Sequence, residues 1–210
     1  MPRHARAVAV GYPHHITQRG NNGEPVFFDD NDRLTYLEIL RHYAMENHVD
    51  IWAYCLMTNH IHILAAPQEP NSLSQGIGLT NLKYTKYFNR KHYRSGRIWQ
   101  NRFYSSIVDT DTHLWAVARY IENNPVKAGI TATVFDYRWS SVHHHVTGLV
   151  DSLLAKDAWL GKDDKENYRQ FLTEDNPQTE AMISKATMGG RPICKPSNLK
   201  KFEELLGRIL

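Results

Sequence analysis

The run from Val49 to Leu56 has strand composition, Thr58-Asn59 reads as a tight turn, and His60 to Ala66 alternates polar and apolar residues. Two strands joined by so short a turn form a hairpin, and a hairpin commits the chain to an antiparallel sheet. Side chains two apart in a strand point to the same face, roughly 6.5 Å apart along the chain. His60 and His62 therefore project together, with Ile61 and Ile63 on the other face. Two imidazoles on one rigid strand suit a divalent ion. The plainer reading is two histidines on a half-exposed sheet face, and the triplet alone favours that, because matches this short are common.

With 210 residues the chain suits one domain with an appendage, or two small ones, and 41% hydrophobic residues are enough for a packed core. Two cysteines, Cys55 and Cys194, make neither a disulfide framework nor a four-cysteine zinc site. The apolar run from Ala5 to Gly11 is too short for a signal peptide and no run approaches a membrane span, which points to the cytoplasm.

The net charge of +3 hides its distribution. No acidic residue occurs between Pro70 and Val108, a stretch that holds Lys83, Lys86, Arg90, Lys91, Arg94, Arg97 and Arg102. Tyr84, Tyr87, Phe88, Tyr93, Trp99, Phe103 and Tyr104 are interleaved with them. Cations neutralise phosphates and aromatic faces stack on unpaired bases, so the mixture suits single-stranded nucleic acid. Some of these aromatics belong to the core. The acid-free N-terminus adds Arg19, just before a loop of strong turn chemistry, Gly20 to Gly23.

In chain order, His14 to Gln18 reads as a strand and Asp29-Asp30-Asn31 caps a helix with apolar Leu34, Leu37, Leu40 and Ala44. The hairpin follows. A helix then runs from Asn71 or Ser72 to about Asn89, and Ile98 to Val108 reads as a fourth strand. Strand, helix, strand, strand, helix, strand is the order of a ferredoxin-like sandwich, an α+β fold with an antiparallel sheet and helices on one face. Asp109-Thr-Asp111-Thr opens a third helix, in which Tyr120 and Asn124 lie one turn apart. The triple His143-His144-His145 reads as surface or loop, since neighbouring residues in a regular element do not converge on one ion. From Asp151 to Glu180 eight acids face four bases. The expected division is a catalytic segment, 1–148, and a helical C-terminal extension, 149–210, that is separable from the chemistry.

Four segments now coincide: His15-Ile-Thr-Gln-Arg-Gly-Asn-Asn, Met57-Thr-Asn-His-Ile-His-Ile-Leu, Trp99-Gln-Asn-Arg-Phe-Tyr, and Ala118-Arg-Tyr-Ile-Glu-Asn-Asn-Pro-Val-Lys-Ala-Gly. With Tyr137-Arg-Trp-Ser-Ser, this series resembles the single-tyrosine HUH transposases, and among them the REP-associated tyrosine transposases of bacteria. The resemblance spans roughly residues 10 to 145 and implies a metal-dependent endonuclease and strand transferase acting on single-stranded DNA beside REP-like hairpins. It implies that His60 and His62 bind Mg²⁺ or Mn²⁺, that Tyr120 is the nucleophile forming a 5′-phosphotyrosine, and that Asn124 completes the metal site. Related insertion-sequence transposases usually carry Gln there, a longer amide. The cations Arg19, Lys83, Lys86, Arg90, Lys91, Arg94, Arg97 and Arg102 are the expected DNA-binding set, and the protein acts as a monomer or homodimer in the bacterial cytoplasm. Two other readings remain. One is a non-catalytic single-strand-binding module of the same fold; the other is an RNA-binding protein that stacks bases on its sheet.

Overall fold

The computed structural model describes residues 6–109, 113–156 and 159–209. Its elements are β1 (His14–Arg19), α1 (Asp30–Glu46), β2 (Val49–Leu56), β3 (His60–Pro67), α2 (Ser72–Lys91) and β4 (Tyr104–Ile107). They are followed by α3 (Leu114–Glu122), α4 (Asn124–Lys127), α5 (Val142–Thr147), α6 (Lys165–Leu172), α7 (Pro177–Gly189) and α8 (Pro196–Leu206). The four strands form one antiparallel sheet in the order β2-β3-β1-β4. That is the ferredoxin-like topology, with β1 and β3 in the centre.

Local chemistry explains the elements that position the sheet. Asp29 accepts a hydrogen bond from the Asp32 backbone at 2.9 Å, capping α1 as its sequence suggests. Tyr36, Leu40 and Ala44, one turn apart, form the buried stripe of α1, and Leu73, Ile77, Tyr84 and Phe88 do the same for α2. Gly76 permits the close approach of α2 to β2: a β-carbon there would lie 2.9 Å from Val49 Cγ2.

Pairing sets which face each strand residue takes. Ile16 lies opposite Ile63, and Gln18 on the same face reaches Asn81 of α2. The other face of β1 carries His15, which meets Tyr120 of α3 and Thr187 of α7. Helices α1 and α2 thus cover one face, as the sandwich topology leads one to expect, and α3 and α7 cover the other. The burial of β3 shows why: every residue from Ile61 to Pro67 is buried. A strand buried on both sides needs cover on both sides.

One local expectation changes, and another falls partly outside the described residues. The fourth strand is four residues long rather than eleven. Trp99 bridges Gly20, and the Gln100 amide bonds the Arg19 carbonyl, but the Asn101 carbonyl takes the Gln18 side chain, which interrupts the ladder before Tyr104. The expected helix opening at Asp109 is also only partly visible, since Thr110, Asp111 and Thr112 lie outside the described residues.

The histidine triple is not a surface loop. It lies in α5, and His145 is buried with its Nδ1 2.7 Å from Glu122 Oε1. Glu122, fully buried, also accepts from Ser141 at 2.6 Å and from Tyr168 at 2.9 Å. One carboxylate thereby joins α3, α5 and α6. Glu122→Ala leaves buried His145 and Tyr168 without their acceptor and Ser141 with only the Tyr54 carbonyl, so a loss of about 3–5 kcal/mol is expected. Urea unfolding checks this; a loss below about 1 kcal/mol would mean that the cluster relaxes freely.

The C-terminal extension shares the main core. Tyr168, Leu172, Ile183 and Ile193 are buried in the cluster that holds the strands. Ile193 pairs with Val108 and Phe202 packs on Ile107, so residues after α7 cover the edge beyond β4. Among the described residues no helix is long and apolar enough to cross a membrane.

Candidate functional site

Strand β3 and helix α3 bring His60, His62 and Tyr120 together, while Asn124 opens α4. The His60 and His62 rings lie 5.0 Å apart, and His62 stands 5.7 Å from the Tyr120 ring. His15 completes the group from β1. Its ring lies nearly parallel to that of His62, centroids 5.2 Å apart, and meets Tyr120 edge-on at 5.6 Å. His15 and His62 are diagonal neighbours on one sheet face, within reach of aromatic rings.

Burial keeps these imidazoles neutral. It lowers His60 to about 4, with nearby Arg19 adding to the effect. It lowers His15 to about 3 and holds His62 well below its ordinary value, where His15, His60 and Lys127 push the same way. Neutral rings offer a nitrogen lone pair, the form a metal ion requires. The orientation of His60 follows from its neighbour. The Asn59 amide donates to the Gly23 carbonyl at 3.0 Å, so its oxygen is the atom 2.7 Å from His60 Nδ1. An amide oxygen only accepts, hence Nδ1 carries the proton and Nε2 the lone pair.

Tyr120 is half-buried between α3 and α7. Desolvation raises its pKa, a hydrogen bond with Ser184 of α7 opposes that rise, and Glu180 adds to it. The Lys127 ammonium lies 4.8 Å from the Tyr120 ring and forms an ion pair with Glu180. Asn124 turns its amide nitrogen back to the Tyr120 carbonyl at 2.7 Å, which leaves its oxygen as the atom available to a ligand. Among the described residues no three His, Cys, Asp or Glu side chains converge as a metal-binding group.

The predicted cations separate into sets. Arg19 ends β1 opposite His60, and the Gly20–Trp99 bridge holds the 97–102 turn, with Arg97 and Arg102, beside it. Lys83, Lys86 and Arg90 instead line an open groove between α2 and α1, in the helix layer on the far side of the sheet from Tyr120. Lys91 and Arg94 are engaged within the protein: Lys91 by Asp29 at 2.7 Å and Asp32 at 2.8 Å, Arg94 by Glu24 at 2.7 Å. Tyr84, Phe88, Trp99 and Phe103 are core, whereas Tyr93 is 98% exposed and Tyr104 half-exposed.

Several residues escaped the sequence reading. His15, Ser184, Lys127 and Thr187 surround Tyr120 and the histidine pair. Arg6 and Arg208 join Arg102 and Tyr104 around a cavity of about 430 Å³ with no acidic residue in its lining. Burial and the adjacent Arg102 push Arg6 down to about 10. His15 and Lys127 lie inside the quoted segments, so their types were visible but not their partners. Ser184 and Thr187 lie in a tail without any motif.

A ferredoxin-like sheet thus presents two histidines beside a helix-borne tyrosine, the arrangement that the resemblance to single-tyrosine transposases leads one to expect. Residues 10–124 match the family "Transposase IS200 like", and the chain belongs to that family. It is similar to a Haemophilus influenzae protein named as a REP-associated tyrosine transposase, at 31% identity over 124 residues, covering 54% of this chain and 68% of that one. A solved REP-associated tyrosine transposase bound to a REP hairpin superposes with a TM-score of 0.52 at 22% identity, covering 77% of this chain and 96% of the other. A Deinococcus radiodurans structure described as a transposase gives 0.39 at 20% identity, covering 58% and 97%.

Proposed function

We propose that this protein cleaves and rejoins single-stranded DNA beside REP-like hairpins, with Tyr120 as the nucleophile. The observation that carries this reading is the placement of Tyr120 within 5.7 Å of His62, in one chain of the transposase family. The donor set suits a divalent ion. His60 offers Nε2, His62 has its Nδ1 engaged by His15, and Asn124 keeps its amide oxygen. Mg²⁺ or Mn²⁺, when bound, supplies positive charge where charge develops on the scissile phosphate.

The remaining chemistry belongs to the chain. The Tyr120 oxygen attacks phosphorus and loses its proton; the bond from phosphorus to the 3′-oxygen breaks, and that oxygen takes up a proton. The products are a 5′-phosphotyrosine and a free 3′-hydroxyl. Ser184 steadies the attacking oxygen, and Lys127 holds a cation over the tyrosine ring. Reversal with a second 3′-end rejoins DNA without ATP, because the phosphodiester energy is retained. Tyrosine and histidines in the same chain support a site that one protomer can complete. Residues 1–148 supply the reacting groups, and residues 149–210 form an extension packed over them.

Two observations weigh against the other readings. A pure binding module has no need of a tyrosine held against two neutral imidazoles. A base-stacking RNA reader needs an open sheet face, and here α3 and α7 cover it. The deciding experiment incubates the protein with a hairpin-bearing single strand and Mn²⁺, then looks for a denaturation-resistant protein–DNA adduct. Its absence across several hairpin sequences would overturn the reading.

DNA follows the cations in this proposal. The Arg19, Arg97 and Arg102 set lies at the His60 end, with Tyr93 and Tyr104 as exposed rings for unpaired bases. Lys83, Lys86 and Arg90 offer a second basic surface, and Lys91 and Arg94 contribute less because acids already pair them. Each phosphate contact contributes about 0.7 to the salt slope of single-strand binding. Replacing Lys83, Lys86 and Arg90 by Ala is expected to lower that slope by about 2, and the same follows for Arg19, Arg97 and Arg102. Fluorescence titrations over a salt series measure both. An unchanged slope in either triple variant removes that surface from the DNA path.

A further inference from the structure

The histidine pair is served by a part of the chain that contains no motif. Thr187 of α7 is buried, and its hydroxyl oxygen lies 2.8 Å from the Ile183 carbonyl and 2.8 Å from His15 Nδ1. His15 Nε2 in turn lies 3.0 Å from His62 Nδ1. Chemistry permits one direction of donation through these three contacts. A carbonyl oxygen cannot donate, so the single Thr187 proton goes to Ile183, as is common one turn back in a helix. Thr187 then has only lone pairs for His15, and His15 Nδ1 must carry a proton. The second His15 nitrogen is consequently a lone pair, and the proton between the two rings sits on His62 Nδ1.

We infer that Thr187 and His15 are positioning residues: a relay running from α7 through β1 holds His62 in the tautomer whose Nε2 is the lone-pair nitrogen. The inference rests on the assignment of His60 and His62 as metal ligands, and it names the source of their readiness. His60 takes the same tautomer from Asn59, anchored on Gly23; His62 takes it from the C-terminal extension. Were the relay reversed, His62 Nε2 would carry a proton and could not ligate an ion. Partners behind a ligating histidine fix its tautomer and orientation in this way, and losing one typically costs 10–100-fold in metal affinity.

The test uses the full-length protein with ¹⁵N-labelled histidine and Mn²⁺ as the probe. In metal-free wild type, long-range ¹H–¹⁵N spectra should show His62 protonated at Nδ1 and unprotonated at Nε2. Thr187→Val keeps the shape but removes the acceptor, so His62 should become a tautomer mixture and Mn²⁺ binding should weaken by about 10-fold. Thr187→Ser restores the hydroxyl and should recover both. A wild-type His62 protonated at Nε2 overturns the relay. So does a Thr187→Val protein that retains both tautomer and affinity. His60→Ala separates the two ideas: if it binds Mn²⁺ as wild type does, the ligand assignment fails, while the metal-free spectra still decide the relay.

Discussion

Tyr120→Phe should abolish the covalent protein–DNA adduct, by roughly 10³-fold or more, while leaving DNA affinity and Mn²⁺ binding close to wild type. The substitution removes one oxygen and keeps the ring. The ring makes the packing contacts seen here, edge-on to His15 and His62 and beneath Lys127. The oxygen has its hydrogen bond with Ser184, whose hydroxyl can turn elsewhere. The variant therefore isolates nucleophilicity from architecture. Adduct yield on a denaturing gel and a fluorescence titration, run side by side, give the comparison. Adduct formation that persists and maps to another tyrosine, such as the half-exposed Tyr104, would sink the assignment.

The features legible in the sequence are those fixed by short-range periodicity. The two-residue period of a strand places His60 with His62, and helical spacing puts Asn124 one turn after Tyr120, although α3 ends at Glu122 and Asn124 opens α4. Caps such as Asp29 are local as well, which is why α1 starts where composition puts it. What escaped depends on contacts between distant residues. His15 lies 172 positions from Thr187, and nothing in either neighbourhood announces the other. The partners of the acid-free basic stretch were hidden in a similar way. Asp29, Asp32 and Glu24 precede it in sequence, yet they fold onto Lys91 and Arg94 and neutralise part of its charge. A run without acids describes the chain and not the surface. The histidine triple read as surface because three adjacent imidazoles share no ion. One of them shares a carboxylate instead, Glu122, which belongs to a different helix.

A chain ending at Gly148 is expected to lose both its cooperative fold and its adduct activity. The change of charge after Asp151 suggests a separable appendage, and by composition it is one. Packing argues for the opposite outcome. Truncation removes Tyr168, Leu172, Ile183 and Ile193 from the main core. At about 1.5–3 kcal/mol for each buried side chain, the loss is on the order of 6–12 kcal/mol, comparable to the whole stability of a typical domain. It also strips Glu122 of Tyr168, Tyr120 of Ser184 and His15 of Thr187. Thermal melting by circular dichroism reads the first effect. Ser184→Ala reads the second without threatening the fold: the protein should melt near the wild-type temperature and form adduct several-fold more slowly, because the attacking oxygen has lost its partner. A truncated protein that melts cooperatively and forms adduct at the wild-type rate would show that α6 to α8 are passengers. The tail would then pack over the tyrosine without serving it, and the reading of α7 as part of the site would be withdrawn.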